Sequence, residues 1–201
     1  RTRGPGAQRD VRRREICDAV LAVVGDAGLG AVSLTTVARR AGVSPGRVQH
    51  YFPSKAELLE AAFDRANELA AGRIAELTAR DPRPRAVLTA VLTELVPHDD
   101  ATRTHMRIRQ SFTAQALADD RVATRLRGAY AELRARLGRL VADEVAAGAI
   151  TVAERPEDVA VRLVALAEGL AYHVLIGTHP ADVARAQVLE AVDALYRGSA
   201  P

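Results

Sequence analysis

The segment that most constrains the fold of this chain is residues 33–55, SLTTVARRAGVSPGRVQHYFPSK. Ser33 is a favourable N-cap, and apolar residues follow it at spacings of three and four, which predicts a short amphipathic helix. The apolar face consists of Leu34, Val37, Ala38 and Ala41. Gly42 then ends the helix, because glycine readily takes the left-handed conformation that a helix terminus needs. The segment therefore opens with one very short helix and a tight turn.

A second helix follows directly after this turn. Ser44 is again a good N-cap and Pro45 a good first helical residue, so we predict a helix over about residues 45–52. Residues 54–57 have the Ser-x-x-Glu form of a capping box and predict a long helix over about 55–79. Two short helices joined by a tight turn, with a third helix behind them, indicate a helix-turn-helix.

Positive charge is concentrated around this motif. The whole chain has a net charge of +3, but residues 1–55 contain ten Lys/Arg against four Asp/Glu, a net of +6, and residues 56–201 contain eighteen against twenty-one. A basic part on a slightly acidic protein is typical of nucleic-acid binding, although an anionic membrane would attract it too. We favour nucleic acid because the basic residues do not lie opposite an exposed apolar helix face.

The remaining sequence predicts helices only. A helical pattern of apolar residues predicts a helix ahead of the motif, from about Arg9 to just before Gly28. Beyond the long helix, turn signals separate helices near 84–96, 100–118, 120–147, 156–176 and 180–197. No segment alternates with a period of two for long enough to form a strand. The predicted fold class is therefore all-α with about nine helices, and residues 1–8, which lack an apolar anchor, are expected to form a flexible basic arm.

Cysteine content and hydropathy favour a protein of the reducing cytoplasm. Cys17 is the only cysteine, so no disulfide can form within the chain, and its apolar surroundings indicate packing. No apolar run is long enough for a signal peptide or a membrane span, so we predict no membrane association. No Gly-rich phosphate loop or nucleophile elbow is present. We accordingly predict no cofactor and no catalytic residue.

The helix-turn-helix residues resemble a known family. Residues 34–46, LTTVARRAGVSPG, and 51–59, YFPSKAELL, closely resemble the DNA-binding signature of tetracycline-repressor-type (TetR) transcriptional regulators. The resemblance is densest over residues 12–63, and residues 48–52, VQHYF, are similar to the subgroup typified by the repressor of betaine synthesis. It is looser in the rest of the chain, where members of this family diverge because each meets a different ligand.

The resemblance implies a two-domain regulator. Residues 9–55 would form the DNA-binding domain and residues 56–201 a ligand-binding and dimerisation domain, with the last two helices, about 156–197, pairing across a two-fold axis. Such a homodimer would bind a pseudo-palindromic operator in double-stranded DNA, with half-sites roughly 34 Å apart. A small-molecule effector that moves the two DNA-binding domains apart would release it from the operator, and the resemblance implies a repressor.

The resemblance also suggests which residues contact DNA. Candidates for reading bases in the major groove are Arg47, Gln49 and His50. Candidates for phosphate contacts are Thr35, Thr36, Ser44, Tyr51 and Lys55, and either Pro45 or Gly46 could approach a thymine methyl. The alternative for Tyr51 and His50 is packing within the domain. Gln49 departs from the wider family, most members of which have a phosphate-contacting Tyr there.

Two features of basic residues support a polyanionic partner. Lys55 is the only lysine in the chain and stands at a predicted helix N-terminus, where the helix dipole disfavours a cation. Arg12, Arg13 and Arg14 lie in the first turns of another helix, with the same disadvantage. A solvated helix face explains the three arginines equally well.

In this family the C-terminal helices enclose a ligand pocket. Residues His105, Arg109 and Phe112 share one helical stripe, Glu168 and Tyr172 share another, and Tyr130 could add an aromatic face. Arg109 and Glu168 are charged at positions where the pattern predicts burial, so each needs a partner. That partner is either a ligand or the other residue of the pair.

The alternative function is a helical metal-dependent enzyme. His98, Asp99, Asp100 and His105 form the only polar cluster of metal-binding residue types, but their spacing matches no standard zinc motif. An Asp-rich loop is more often a helix cap, which is the interpretation we favour.

Overall fold

The computed structural model describes residues 5–197, which form nine α-helices and no strand. In chain order the helices are α1 (Pro5–Ala27), α2 (Leu34–Ala41), α3 (Pro45–Tyr51), α4 (Lys55–Arg80), α5 (Pro84–Glu94), α6 (Asp100–Ala116), α7 (Asp120–Ala146), α8 (Pro156–Leu175) and α9 (Ala181–Arg197). A single 3-10 turn, Leu29–Ala31, links α1 to α2. The all-α fold class is confirmed.

The capping residues place the helix ends around the turn as the sequence predicts. The Ser33 side chain accepts a hydrogen bond from the Thr36 amide, and the Thr36 hydroxyl accepts one from the Ser33 amide, which forms a capping box. Gly42 ends α2 with a φ of 66°, in the left-handed region. Ser44 caps α3, and Pro45 is its first residue. The tight turn therefore rests on local backbone chemistry.

Two helix starts differ in detail from the sequence expectation. Helix α1 begins at Pro5, so residues 5–8 of the expected flexible arm are helical, while residues 1–4 lie outside the described part of the chain. Proline is favourable at a first helical position, which accounts for the early start. At the start of α4, Ser54 accepts a hydrogen bond from the Glu57 amide and donates one to the Glu57 carboxylate, so the return bond is between side chains.

Two apolar cores divide the molecule. The first is formed by Ile16, Cys17, Ala19, Val20, Val24, Val32, Val37, Ala38, Val48, Phe52, Leu58, Ala62, Phe63 and Ala66, with Ile108, Phe112, Val122 and Leu126 from α6 and α7. Burial raises the pKa of the Cys17 thiol in this core to about 12, which is consistent with a packing role. Since α6 and α7 contribute to it, the core that holds α2 and α3 extends beyond the first four helices.

The second core lies among α5, α7, α8 and α9. It is formed by Ile74, Leu88, Ala90, Val91, Leu92, Leu95, Val96, Met106, Leu137, Val141, Ile150, Val159, Ala160, Leu163, Val164, Ala167, Ala171, Val174, Ala184, Val188, Val192 and Leu195. Helix α4 passes from one core to the other, because Leu58 and Phe63 belong to the first and Ile74 to the second. A single long helix thus connects the motif to the body of the protein.

Helices α8 and α9 also carry apolar residues on their outer surface. Ile176, Val183, Val161 and Leu166 are 52%, 41%, 40% and 38% exposed. Exposed apolar side chains on the last two helices mark a candidate interaction surface. Among the described residues, no helix has both the length and the apolar content that crossing a bilayer requires.

Candidate nucleic-acid interface and ligand site

Helix α3 turns one face into the first core and the other outward. Val48 and Phe52 are fully buried, whereas Arg47, Gln49 and His50 are exposed. Within residues 5–197 these three side chains have no hydrogen-bond or ion-pair partner, and the only ring contact is an edge packing of His50 on Tyr51, with centroids 5.4 Å apart. A short helix that keeps its polar groups free can enter a groove.

Arg13 anchors the end of this helix from α1. Its Nη1 donates a hydrogen bond of 2.8 Å to the Tyr51 carbonyl, and its guanidinium lies 4.4 Å from the centroid of the Phe52 ring. Cation–π stacking and a charge-assisted bond both hold the C-terminus of α3 in place. Arg13 therefore has a structural role, which could not be predicted from sequence because the contact spans 38 positions.

Most of the residues predicted to contact phosphates have side chains that are open to solvent, and Thr36 is the exception. Thr35, Ser44 and Lys55 are exposed and Tyr51 is half-buried. The Thr36 hydroxyl donates to the Ala31 carbonyl at 2.7 Å, so its single proton is already used. We therefore correct the prediction for Thr36, whose side chain holds the start of α2.

Pro45 and Gly46 form the exposed start of α3. A Cβ added at Gly46 would meet no atom within 4 Å, so the backbone there is open to close approach by a partner. Ser44 uses its side-chain oxygen as an acceptor for the Arg47 amide and keeps its hydroxyl proton available. The geometry leaves this edge of the motif free for a nucleic-acid backbone.

The first turns of α1 extend this surface. Gln8, Arg9 and Arg12 line a cleft of about 440 Å³ together with Arg47 and His50. Gln8 and Arg9 are not among the residues predicted from sequence to contact DNA. Sequence spacing could have indicated a shared surface, because positions 8 and 12 are four residues apart and lie on the same face of a helix.

In the C-terminal part, Arg109 and Glu168 pair with each other. Arg109 Nε lies 2.8 Å from Glu168 Oε1, and the Tyr130 hydroxyl donates to the same carboxylate at 2.6 Å. The Arg109 guanidinium also lies 4.9 Å from the centroid of the Tyr130 ring. Burial, reinforced by the Glu168 carboxylate, raises the pKa of Tyr130 to about 12. Of the two alternatives open from the sequence, the structure therefore shows the ion pair.

His105 lies in a second buried polar cluster. Its Nε2 is 3.1 Å from Asn67 Oδ1, and its Nδ1 is 3.7 Å from Glu94 Oε1 and has no hydrogen-bond partner. Burial lowers the pKa of His105, which the nearby Glu94 carboxylate only partly opposes. Burial alone would raise the pKa of Glu94, but His105 and Arg73 outweigh it and lower that pKa. Glu94 and Arg73 were not singled out from the sequence, because their pairing joins two helices.

The other two predicted ligand residues lie apart. Phe112 stacks on Phe63 in the first core, with centroids 4.3 Å apart, and is 2% exposed. Tyr172 is 50% exposed on the outer face of α8. Tyr172 follows Glu168 by four residues, which rotates it by about 40° around the helix and is enough to move it from the interior edge to the surface. The structure thus places Tyr172 at the surface and not on an interior stripe with Glu168, and a ligand contact by Tyr172 stays a prediction.

Two separate clefts flank α6. His105 lines a cleft of about 440 Å³ between α1, α4 and α6, while Tyr130 lines a groove of about 480 Å³ between α6 and α7. The predicted ligand residues therefore do not converge on one cavity. Of the six, His105 lines one cleft and Tyr130 lines the other.

The polar cluster near His98 does not assemble into a metal site. Asp99 caps α6 by accepting a hydrogen bond from the Thr102 amide at 2.7 Å, while the His98 ring lies against the Val96 carbonyl. His105 points away into the cluster with Glu94. In the part of the chain that the structure describes, no three His, Cys, Asp or Glu side chains come close enough to hold a metal ion. The helix-cap interpretation is confirmed for Asp99.

Two family models match this chain. Residues 16–62 match the model described as bacterial regulatory proteins, tetR family, and residues 84–197 match the model described as BetI-type transcriptional repressor, C-terminal. The second match alone covers more than half of the chain. Together they cover the helix-turn-helix and α5 to α9, while residues 63–83 of α4 and the following turn lie between the two matches.

Relatives and a solved structure agree with these matches. The HTH-type transcriptional regulator PksA of Bacillus subtilis is 29% identical over 167 residues, 82% of this chain and 79% of PksA. The HTH-type transcriptional regulator BetI of Burkholderia thailandensis is 34% identical over 110 residues, so that the match spans 54% of this chain and 56% of BetI. A TetR-family transcriptional regulator from Rhodococcus sp. superposes with a TM-score of 0.80 at 25% identity, over 92% of this chain and 99% of that one.

Proposed function

The chain belongs to the TetR family of bacterial regulatory proteins, and we propose that it represses transcription as a homodimer that leaves a pseudo-palindromic operator when a small molecule binds. Its relatives are transcriptional regulators and not enzymes. We place the regulator in the cytoplasm, where it would meet both its DNA and its effector.

The observation that carries this proposal is the exposed face of α3. Arg47, Gln49 and His50 project from a helix whose opposite side, at Val48 and Phe52, is fully buried. In the major groove Arg47 would pair with guanine and Gln49 with adenine, each through two hydrogen bonds. We therefore assign base readout to α3, where His50 lies next to Gln49.

The surrounding groups would bind the DNA backbone. We assign phosphate contacts to Thr35, Ser44, Tyr51 and Lys55, because these side chains are exposed or half-exposed around α3. Lys55 is exposed at the first position of α4 and has no carboxylate partner among the described residues. Pro45 and Gly46 would lie close enough to the groove floor to meet a thymine methyl.

Helices α8 and α9 would supply the dimer interface. Their outer face exposes the apolar residues Val161, Leu166, Ile176 and Val183. Pairing this face with its copy across a two-fold axis removes apolar surface from water and brings two α3 helices onto one side of the dimer. Residues 9–55 would then act as the reading domain and residues 56–201 as the domain that senses the effector and dimerises.

A DNA-binding titration tests the proposal. The full chain is titrated against a fluorescent duplex from the region upstream of its own gene, in a series of salt concentrations. Arg47→Ala should weaken binding and flatten the preference for that duplex over a shuffled one. Arg155→Ala, which removes an exposed arginine from the start of α8, is the charge-matched control and should bind like the parent. Equal affinity for both duplexes, or an equal effect of both variants, would overturn the assignment of α3.

Effector binding is tested separately by a thermal-shift screen of small metabolites. A compound that binds the folded state raises the unfolding temperature in proportion to its concentration over Kd. Each compound that does so is added to the preformed protein–DNA complex, which it should dissociate. A screen whose hits all leave the complex intact would remove the effector from the proposal and leave DNA binding standing.

A further inference from the structure

The cleft between α1, α4 and α6 lies where the two halves of the molecule meet. Its walls come from the C-terminal half of α1, the middle of α4 and the first turns of α6. Helix α1 packs against α2 and belongs to the core that supports α3. Anything bound in this cleft would therefore touch the DNA-reading half and the sensing half at once.

One arginine forms the direct polar link across the cleft. Arg107 on α6 donates hydrogen bonds from Nη1 to the Val24 and Gly25 carbonyls, at 3.3 and 3.1 Å. These carbonyls lie in the last turn of α1, where a cation is favoured by the helix dipole. A Cβ added at Gly25 would lie 3.0 Å from the Thr104 hydroxyl, so the two helices are in close contact there. The position of α1 thus depends on α6.

The charges in the cleft favour an anion. Arg73 is paired with Glu94, and Asp26 is paired with Arg40. The charged lining groups that remain are the two half-buried guanidiniums of Arg103 and Arg107 and the exposed carboxylate of Asp100.

Arg103 has no partner of its own. Within residues 5–197 no carboxylate lies within ion-pairing distance of its guanidinium. A half-buried cation without a partner is available to a ligand.

The opposite wall of the cleft is apolar. Leu21 and Ala22 on α1 and Ala66 and Leu69 on α4 contribute to the lining, and the cleft volume of about 440 Å³ is within the range of small-ligand pockets. His105, which is 5% exposed and carries a nitrogen without a hydrogen-bond partner, belongs to the same lining. An apolar wall beside two guanidiniums suits a molecule with a short hydrocarbon part and one carboxylate.

We propose that this cleft is the effector site and that it takes a small amphipathic carboxylate. This inference rests on the proposed function for its regulatory meaning, but binding itself can be tested without DNA. The carboxylate binds Arg103 and competes for Arg107, while the chain lies along Leu21 and Leu69. Because Arg107 then no longer holds the last turn of α1, the DNA-reading half is released from its fixed position on α6.

Calorimetry of the full-length protein with matched probes tests the site. The probes are octanoate, octan-1-ol and octyltrimethylammonium, which share a hydrocarbon chain and differ in the charge of the head group. Arg103→Ala is the test variant, since Arg103 has no intrachain ion pair whose loss would unfold the protein. Arg127→Ala is the matched control, because Arg127 is an exposed arginine that lines the other groove, between α6 and α7.

Octanoate should bind the parent at least about tenfold more tightly than octan-1-ol, and octyltrimethylammonium should bind most weakly. Arg103→Ala should weaken octanoate by about tenfold and leave octan-1-ol unchanged, whereas Arg127→Ala should change neither. Equal binding of the three probes, no octanoate binding, or a larger effect of Arg127→Ala would overturn the site.

A second measurement separates the site from its regulatory role. Octanoate is added to the protein–DNA complex, which it should dissociate for the parent and not for Arg103→Ala at the same concentration. Octanoate binding that leaves the complex of the parent intact overturns the effector role. If the protein binds no DNA, the calorimetry still decides whether the cleft takes a carboxylate, so the two failures are distinguishable.

Discussion

The Arg109–Glu168 pair offers a sharp test of how the sensing half is held together. Glu168→Ala removes the carboxylate that accepts hydrogen bonds from both Arg109 and Tyr130. The Arg109 side chain is 8% exposed, so its charge cannot regain full hydration in the variant. The Tyr130 hydroxyl loses its acceptor at the same time.

The size of the effect follows from burial. Breaking a buried ion pair by removing one partner costs about 3–5 kcal/mol, because an uncompensated charge is left in the interior. Glu168 is 19% exposed, which lets water reach part of the site and lowers that cost. The lost hydrogen bond of Tyr130 adds about 1 kcal/mol. We therefore expect Glu168→Ala to lower the free energy of unfolding by about 3 kcal/mol near pH 7.

Urea unfolding followed by circular dichroism measures this loss, at one fixed protein concentration because a dimer's stability depends on concentration. The double variant Arg109→Met with Glu168→Leu should recover most of the stability, since an apolar pair of similar volume leaves no buried charge. Asp158→Ala, which removes an exposed ion pair with Arg155, should behave like the parent. A loss for Glu168→Ala no larger than that for Asp158→Ala, or a double variant less stable than Glu168→Ala, would refute the reasoning.

Four further variants have expected outcomes. Lys55→Ala should reduce the slope of log affinity against log salt concentration by about 1, because it removes one phosphate contact. Gln49→Ala should leave that slope unchanged. It should instead weaken binding by about 1–3 kcal/mol and relax the preference at one base pair. Ile176→Asp should yield monomers in sedimentation and weaken operator binding, because Ile176 directly follows α8 and the substitution places a charge in the apolar surface of the proposed dimer interface. Since the folded-state pKa of His105 lies below its unfolded value, the unfolded chain binds the proton more readily, and stability should fall as pH drops through about 6.5. His105→Gln should flatten that fall, because the variant has no imidazole to protonate at this position; unfolding curves with the same pH dependence in both proteins would contradict this.

Local chemistry made the helix-turn-helix predictable from sequence. Ser33, Gly42, Ser44 and Pro45 each act within one or two turns of the chain, so their effects on helix ends do not depend on distant residues. The same holds for Asp99, whose side chain caps the helix directly behind it. The exposed residues of α3 follow from the same periodicity, because burial of Val48 and Phe52 turns the intervening positions outward.

Contacts between distant helices were not predictable in the same way. Arg13 binds the Tyr51 carbonyl across 38 positions, and nothing in the sequence near either residue signals that bond. Glu94 pairs with Arg73 on another helix, although its neighbours are apolar and give no sign of a buried carboxylate. Tyr172 was misplaced because a period of 3.6 defines which residues share a stripe but not where the stripe leaves the interior.

Helix α1 contacts both α6 and α3, and so physically connects the proposed effector cleft to the DNA-reading helix. At its C-terminal end, its carbonyls accept hydrogen bonds from Arg107 on α6. At its N-terminal half, Arg13 holds the last carbonyl of α3 and covers the ring of Phe52. A continuous helix transmits a displacement of one end to the other, since its backbone hydrogen bonds and packed core resist bending. A ligand that competes for Arg107 would therefore act on α3 through α1, because α1 contacts Arg107 at one end and supports α3 through Arg13 at the other.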